Sequence, residues 1–125
     1  MRAERAKQLL KNAVYRSIGE AATAFGAVDG GEGRTLRVLM YHKVNDQPEN
    51  PVTVPTTAFA EQMAHLRELG YAVVGLDAVL DHYVEGKALP DKAVLITFDD
   101  GYRDNLENAL PALEAHGYPA VLFAP

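Results

Sequence analysis

The sequence predicts an α/β fold built on a largely parallel sheet, and two observations carry this prediction. Ala93–Phe98 is a continuous apolar run rather than an alternating one, which is typical of a strand buried on both faces. Segments with strand and helix patterns alternate from residue 35 onwards. The connections between them are long enough for crossovers, so we expect parallel strands joined through helices.

Each predicted element has its own signal. The opening strand ends in Tyr41-His42-Lys43-Val44 and is followed by a polar, proline-containing loop to Pro55. Thr57 is the predicted N-cap of the first helix and Gly70 its stop. Pro111 lies within the last helical pattern, so that helix either kinks there or begins its regular part there. The predicted strands are 36–40, 72–74, 93–98 and 120–123, and the predicted helices are 57–69, 76–84 and 106–116.

Residues 1–34 are predicted to form a separate leader. Residues 4–25 have the apolar spacing of one amphipathic helix with basic residues opposite, and residues 26–33 are a glycine-rich linker. A basic amphipathic helix is compatible with contact at a membrane surface. We favour the simpler interpretation, a helix that packs on a domain or a loosely ordered leader, because such patterns are common.

Composition excludes several classes of protein. The 125 residues contain no cysteine, which excludes disulfides and thiolate metal sites. Residues 35–125 hold six Lys/Arg against thirteen Asp/Glu, so nucleic acid is not an expected partner. Neither a signal peptide nor a transmembrane segment is recognisable. The sequence therefore predicts a cytoplasmic protein by default, with association with the cell envelope as the alternative.

The strongest candidate for chemistry is Thr97-Phe98-Asp99-Asp100-Gly101. It places two carboxylates at the carboxyl end of a buried parallel strand, the edge where α/β proteins build their sites. Neighbouring anions repel each other, and a bound cation or a shared proton relieves that repulsion. Gly101 allows a sharp turn that would bring both side chains to one pocket. Solvated turn acids or a helix N-cap remain an alternative.

Other motifs with acids after a strand fit less well. A Walker B segment needs a G-x-x-x-x-G-K-[ST] motif elsewhere, and the sequence has none. Asp99 to Asp104 does not match an EF-hand loop. A receiver-type phospho-acceptor normally carries its acids after the first strand, whereas two predicted strands precede this pair.

The four histidines are His42, His65, His82 and His116, and none are spaced as a helical pair of metal ligands. We expect His65 and His82 to face solvent and His116 to interact with a helix C-terminus. His42 ends the first strand, at the same edge of the sheet as Asp99 if the two strands are parallel. With Tyr41 it could line the same pocket, and a structural or supporting role is favoured over direct chemistry.

At these residues the chain resembles the NodB-homology polysaccharide deacetylases, carbohydrate esterase family four. Thr97 to Gly101 reads as the first motif of that family, and the likeness extends over residues 36–125. Further similar segments are Leu39-Met40-Tyr41-His42, Phe59 with Gln62-Met63 and Leu66, Gly70-Tyr71, Leu89-Pro90, Tyr102-Arg103-Asp104-Asn105 and Gly117-Tyr118-Pro119-Ala120.

The resemblance implies a distorted (β/α) barrel, of which this chain would hold about four strands. It implies that Asp99 is the general base and Asp100 a ligand of a divalent metal, usually zinc. Tyr41, His42 and Tyr102 are then candidates for substrate binding or for supporting these two residues. The substrate class it implies is an N-acetylated polysaccharide, such as one of the cell surface.

The resemblance also implies ligands that this sequence does not contain. The family's other two metal ligands belong to a His-x-x-x-His motif downstream of the strand at residues 120–123, and its general acid lies further on. A catalytic zinc normally has three protein ligands, so we expect this chain alone to be incomplete and inactive. Two other functions remain open: a noncatalytic carbohydrate-binding or regulatory remnant, and a related hydrolase of small cyclic amides.

Overall fold

A computed structural model of the chain describes residues 35–125. The predicted leader, comprising the helix at 4–25 and the linker at 26–33, lies outside the described residues. The strands are β1 (Arg37–Tyr41), β2 (Lys43–Val44), β3 (Thr53–Val54), β4 (Ala72–Val73), β5 (Ala93–Asp99) and β6 (Val121–Phe123). The helices are α1 (Thr56–Glu68), α2 (Leu76–Glu85) and α3 (Leu110–His116), and a π-helical turn, Asn105–Ala109, precedes α3.

The main sheet has four strands, and all of its pairings are parallel. Strand β5 lies in the centre, with β1 along one side. On its other side β4 pairs with the start of β5 and β6 pairs with its end. The α/β class and the parallel sheet of four strands are therefore confirmed, and within residues 35–125 the sheet does not close into a barrel.

Strand β5 is buried from Ala93 to Phe98, as its continuous apolar run predicted. Its residues Val94, Ile96 and Phe98 face Phe59 and Met63 of α1 in the larger core cluster. Ala93 belongs to a smaller cluster at the start of the strand. Burial on both faces makes β5 the fixed element on which the residues after it are positioned.

The beginning of α1 differs from the prediction. The helix starts at Thr56 rather than after Thr57, and its N-cap position is Pro55, which provides no side-chain hydrogen bond. The backbone N–H of Thr56 instead donates to Oδ1 of Asp46, ten residues earlier in the loop, over 3.1 Å. The predicted Thr57 cap was wrong because a loop carboxylate, placed by tertiary structure, supplies the acceptor that the free N–H groups of a helix start need.

The last helical segment resolves the two possibilities left open by Pro111. The regular α-helix begins at Leu110 and has the proline in its first turn, directly after the π-helical turn, in which the N–H of Leu110 donates to the carbonyl of Asn105. The preceding turn, Asn105–Ala109, is π-helical. Turns of this kind often occur at functional sites, and this one begins four residues after Gly101, the end of the acidic motif.

The structure also contains one feature that the sequence did not predict. Strands β2 and β3 form a separate two-stranded parallel ribbon, with Lys43 paired to Thr53 and Val44 to Val54. Strand β2 is separated from the end of β1 only by His42. The ribbon therefore extends from the carboxyl end of the main sheet, next to the candidate site.

Candidate active site

The carboxyl edge of the sheet brings Asp99 and His42 together. The last paired residues of β1 and β5 are Tyr41 and Phe98, so the residue after each lies at the same edge. His42 Nε2 is 3.7 Å from Asp99 Oδ2, and the two side chains are 28% and 32% exposed. A half-buried carboxylate beside an imidazole can accept a proton while remaining open to a small molecule from solvent. The expected proximity of His42 and Asp99 at this edge is therefore found.

The turn after β5 is tight and held in place. Asp100 and Gly101 both have left-handed backbone conformations, with φ values of 73° and 65°. The backbone N–H of Asp100 donates to the carbonyl of Phe123 at the end of β6, over 3.0 Å. Aspartate is among the few non-glycine residues that tolerate this conformation, and Gly101 adopts it at no steric cost. Asp100 is consequently exposed at the edge, and the predicted sharp turn at Gly101 is present.

Tyr41 lies in the core. It is 8% exposed, and its ring packs edge-on against Phe59 and stacks on Phe98. Its hydroxyl donates to Oε1 of Gln62 on α1 over 2.6 Å. Burial raises the pKa of the Tyr41 hydroxyl to about 12, because the charged phenolate would lose its hydration. Tyr41 is thus the last residue of β1, with its side chain in the core, where it fixes α1 against the sheet.

Tyr102 lies on the other side of the turn and is half-buried. The ammonium of Lys43 is 4.7 Å from the centre of its ring, within the range of a cation–π interaction. The contact therefore connects Tyr102, which follows the acidic motif, to Lys43, which follows His42. An aromatic ring at such an edge offers a flat apolar surface for a sugar ring.

Three polar side chains of the segment after the turn hold the chain around His42, and the sequence assigned them no role. Asn105 donates to the carbonyl of His42 over 2.8 Å, and Asn108 donates to the carbonyl of Val44 over 2.7 Å. Asp104 accepts from the backbone N–H of Val44 at 3.2 Å and from the side chain of Asn45 at 2.7 Å. The sequence signals were their helical spacing after the acidic pair, which is equally typical of a solvated helix face, and the place of Asp104 and Asn105 in a segment similar to the deacetylase family.

The remaining histidines lie apart from this edge. His65 is exposed and pairs with Glu68 on α1. His82 bonds to the carbonyl of Lys87 through Nδ1, and the ring of His116 stacks on Tyr118 after α3. The exposed position predicted for His65 is confirmed, whereas His82 is half-buried against its turn.

The residues described here do not form a complete metal centre. Within residues 35–125 no group of three His, Asp or Glu side chains is arranged to hold a metal ion. Asp100 is exposed and could contribute one carboxylate, but a site of catalytic type would need further ligands. Among residues 35–125, Asp100 could therefore supply one ligand of such a site but not the complete set. The same residues also include no helix long and apolar enough to cross a membrane.

These features define an α/β protein with a candidate hydrolytic centre at the carboxyl edge of a parallel sheet. Residues 86–124 match the family model for polysaccharide deacetylases. The chain belongs to this family, of the NodB-homology type, and carries part of its domain.

Two curated relatives illustrate the likeness. Poly-beta-1,6-N-acetyl-D-glucosamine N-deacetylase from Escherichia coli K12 is 40% identical over 85 residues, which is 66% of this chain and 13% of the relative. The putative polysaccharide deacetylase YxkH from Bacillus subtilis is 36% identical over 88 residues, which is 70% of this chain and 31% of the relative. The chain thus spans less than a third of the length of either protein.

Solved structures give the same result. IcaB from Ammonifex degensii superposes with a TM-score of 0.66 and 34% identity, covering 74% of this chain and 39% of that one. The de-N-acetylase from Aggregatibacter actinomycetemcomitans superposes with a TM-score of 0.64 and 32% identity, covering 70% of this chain and 36% of that one. The described residues therefore have the fold of one part of a deacetylase domain.

Proposed function

We propose that this chain is part of an enzyme that hydrolyses N-acetyl groups on a polysaccharide, releasing acetate and leaving a free amine on the sugar. The observation that carries the proposal is the contact between Asp99 and His42 at the carboxyl end of the central strand. Because the E. coli relative acts on poly-beta-1,6-N-acetyl-D-glucosamine, we infer a polymer of N-acetylglucosamine as the substrate.

Asp99 is proposed as the general base. Its carboxylate is held at the end of a fully buried strand and is itself only partly exposed, so its direction is fixed while solvent can reach it. It would take a proton from the water that attacks the acetyl carbonyl. The carbon–nitrogen bond then breaks, the acetyl carbon keeps the oxygen of the water as acetate, and the nitrogen takes a proton from a general acid outside residues 35–125 and leaves as the amine.

His42 is proposed to support Asp99. Its Nε2 lies 3.7 Å from Oδ2 of Asp99, and both side chains are about one-third exposed or less, so the imidazole limits the directions in which the carboxylate can turn. Tyr102, with Lys43 above its ring, is proposed to contact the sugar. Tyr41 supports the site from the core by fixing α1 under β1 and β5.

Asp100 is proposed as one ligand of a divalent metal, most simply zinc. Asp100 is exposed beyond the strand end, on a turn that is held by its backbone hydrogen bond to Phe123. This position suits one ligand of a metal site whose other ligands come from other parts of a protein. A bound metal of this kind polarises a carbonyl and lowers the pKa of water. The remaining ligands would come from residues outside those described, since residues 35–125 contain no cluster of three.

The test uses a chimera in which residues 35–125 are joined to the downstream part of the E. coli relative's catalytic domain. Acetate release is measured from an acetylated glucosamine oligomer, with zinc or cobalt added. We expect metal-dependent release that Asp99→Asn lowers at least about 100-fold and that Asp91→Asn, a change at an exposed turn, leaves intact. Binding of the oligomer without acetate release would instead favour a noncatalytic carbohydrate-binding protein, and turnover of a small cyclic amide alone would favour the other hydrolase.

A further inference from the structure

The backbone at Val44 is held by side chains on one edge and by a strand on the other. In the β2–β3 ribbon, the N–H groups of Lys43 and Asn45 donate to the carbonyls of Val52 and Val54. The N–H and carbonyl of Val44 point away from that ladder, and Val44 is fully buried. Both groups are satisfied by the segment after the acidic motif: Asp104 accepts from the N–H, and Asn108 donates to the carbonyl.

Asp104, Asn105 and Asn108, called here the clamp, take the place of a strand on the free edge of β2. Buried backbone polar groups need partners, and three side chains at helical spacing provide them. The carboxylate of Asp104 uses one oxygen for Val44 and the other for Asn45, so it is committed to structure rather than free as a second acid. Asp104 lies immediately before the π-helical turn and Asn105 and Asn108 lie within it, on the segment that begins at Asp99-Asp100.

His42 depends on the clamp because the sheet stops before it. The β1–β5 ladder ends at Tyr41 and Phe98, and the β2–β3 ribbon begins only at Lys43. The carbonyl of His42 accepts the amide of Asn105 over 2.8 Å. His42 thus lies between the two sheets and belongs to neither ladder. Its carbonyl accepts a hydrogen bond from the segment that also carries Asp99.

We propose that Asp104, Asn105 and Asn108 are positioning residues that hold His42 against Asp99. The inference rests on the proposed function, because the position of His42 matters to catalysis only if Asp99 is the base. The acidic motif and the π-helical turn after it then act as one unit. This unit carries the proposed base, Asp99, and also holds the imidazole of His42 next to it.

Residue-specific chemical modification tests this in the 125-residue chain. Diethyl pyrocarbonate modifies accessible imidazoles, and mass spectrometry reads the rate at each of the four histidines separately. Asn105→Leu and Asn108→Leu keep a side chain branched at Cγ and remove the amide donors. Asn105 is suited to this change because its buried Oδ1 has no hydrogen-bond partner to lose. Asn50→Leu, on the exposed loop between β2 and β3, is the matched control.

We expect both clamp variants to raise the modification rate at His42 by about three- to tenfold, the increase in open population that loss of one or two hydrogen bonds produces; Asn105 donates to both His42 and Asp104, and Asn108 to Val44. His65, His82 and His116 should be unchanged, and Asn50→Leu should leave all four rates unchanged. Equal rises at all four histidines would mean general unfolding and would overturn the proposal, as would unchanged rates at His42. Acetate release is not measured here, so the outcome is independent of whether deacetylation itself is observed.

Discussion

The two neighbouring aspartates differ in their surroundings, and this difference suggests different roles. Asp99 is the last residue of β5 and contacts His42, whereas Asp100 is exposed on a left-handed turn beyond the strand. Adjacent residues on a strand point to opposite faces, and only the turn allows both carboxylates to serve one pocket. A substitution that keeps the shape of each side chain can therefore test the proposed base and the proposed metal ligand separately.

We predict that Asp99→Asn in the chimera keeps most of the metal and lowers the turnover rate by about 10²- to 10⁴-fold, the usual contribution of a general base. Asp100→Asn should lose metal and activity together. Asparagine is chosen at position 100 because it tolerates the left-handed backbone found there. Metal content by elemental analysis and acetate release are measured on both variants. Loss of metal in Asp99→Asn and its retention in Asp100→Asn would reverse the two assignments.

Tyr41 gives a prediction about stability at high pH. Its pKa is raised from the ordinary value of 10.0 to about 12 in the folded chain, so the fold favours the protonated hydroxyl. The unfolded chain releases this proton first as the pH rises, and the stability from Tyr41 is present below pH 10 and lost between about 10 and 12.

Urea unfolding at several pH values from 8 upwards, followed by circular dichroism, measures this effect. Tyr41→Phe should be less stable at pH 8, because it lacks the bond to Gln62, and should lose less stability than the parent above pH 10. The control is Tyr83→Phe, at a ring that is 69% exposed, which should retain the parent's pH dependence. An identical slope in the parent and in Tyr41→Phe would contradict the assignment to Tyr41.

At the scale of elements, the start of α1 shows how a distant residue can replace a local cap. Asp46 accepts from the backbone N–H of Thr56, and the first turn of the helix contains no acidic residue of its own. A carboxylate at this end also interacts favourably with the helix dipole. The loop from β2 to β3 is thereby tied to α1, the helix that covers the main core.

We predict that Asp46→Ala lowers the free energy of unfolding by about 1 kcal/mol, the usual effect of losing an N-terminal capping acceptor. Thr57→Ala removes the cap that the local sequence suggests and should change stability by much less, because no side-chain hydrogen bond caps this helix from its own N-cap position. Chemical unfolding of both variants is the measurement. A larger loss in Thr57→Ala than in Asp46→Ala would show that the helix is capped locally in solution.

At the scale of the whole molecule, one face of the main sheet is open at β1. Val38 and Met40 lie on this face and are 55% and 64% exposed, whereas Leu39 and Tyr41 on the opposite face pack in the core. Within residues 35–125, β1 pairs with β5 alone and its second edge is unpaired. Exposed apolar side chains next to an unpaired strand edge favour association with another chain.

We predict that the 125-residue chain self-associates or binds an apolar dye. The double variant Val38→Lys with Met40→Lys should reduce both, because charges on an edge strand oppose pairing. Leu80→Lys, at a side chain of α2 that is 49% exposed, is the matched control and should have a smaller effect. Sedimentation and dye fluorescence measure the two properties. A parent chain that remains monomeric and unfolds in one cooperative transition would contradict the prediction.

The donor set leads to a second prediction at this scale. Because residues 35–125 contain no cluster of three metal-binding side chains, the chain alone should release no acetate from the acetylated oligomer, with or without added zinc. The chimera serves as the positive control in the same assay. Metal-dependent turnover by the chain alone, lost in Asp99→Asn, would show that its own residues suffice.

The sequence by itself determined the α/β class, the buried central strand and the position of the acidic pair after it. These are properties of single segments, because burial on two faces requires an uninterrupted apolar run and a strand end is visible in the residues that follow it. It also anticipated the sharp turn at Gly101 and the edge shared by His42 and Asp99, since parallel strands end on the same side. The family resemblance rested on the same motif.

Only the tertiary structure decided which distant groups meet. The bond from Asn105 to His42, the cap of α1 by Asp46 and the direction of the Tyr41 hydroxyl each join segments far apart in the chain. Periodicity reports how much of an element is buried, but not which neighbour buries it. Polar residues on a helix give the same sequence pattern whether they face water or bond to a loop. The clamp could therefore be identified only from the packing of the π-helical turn against β2.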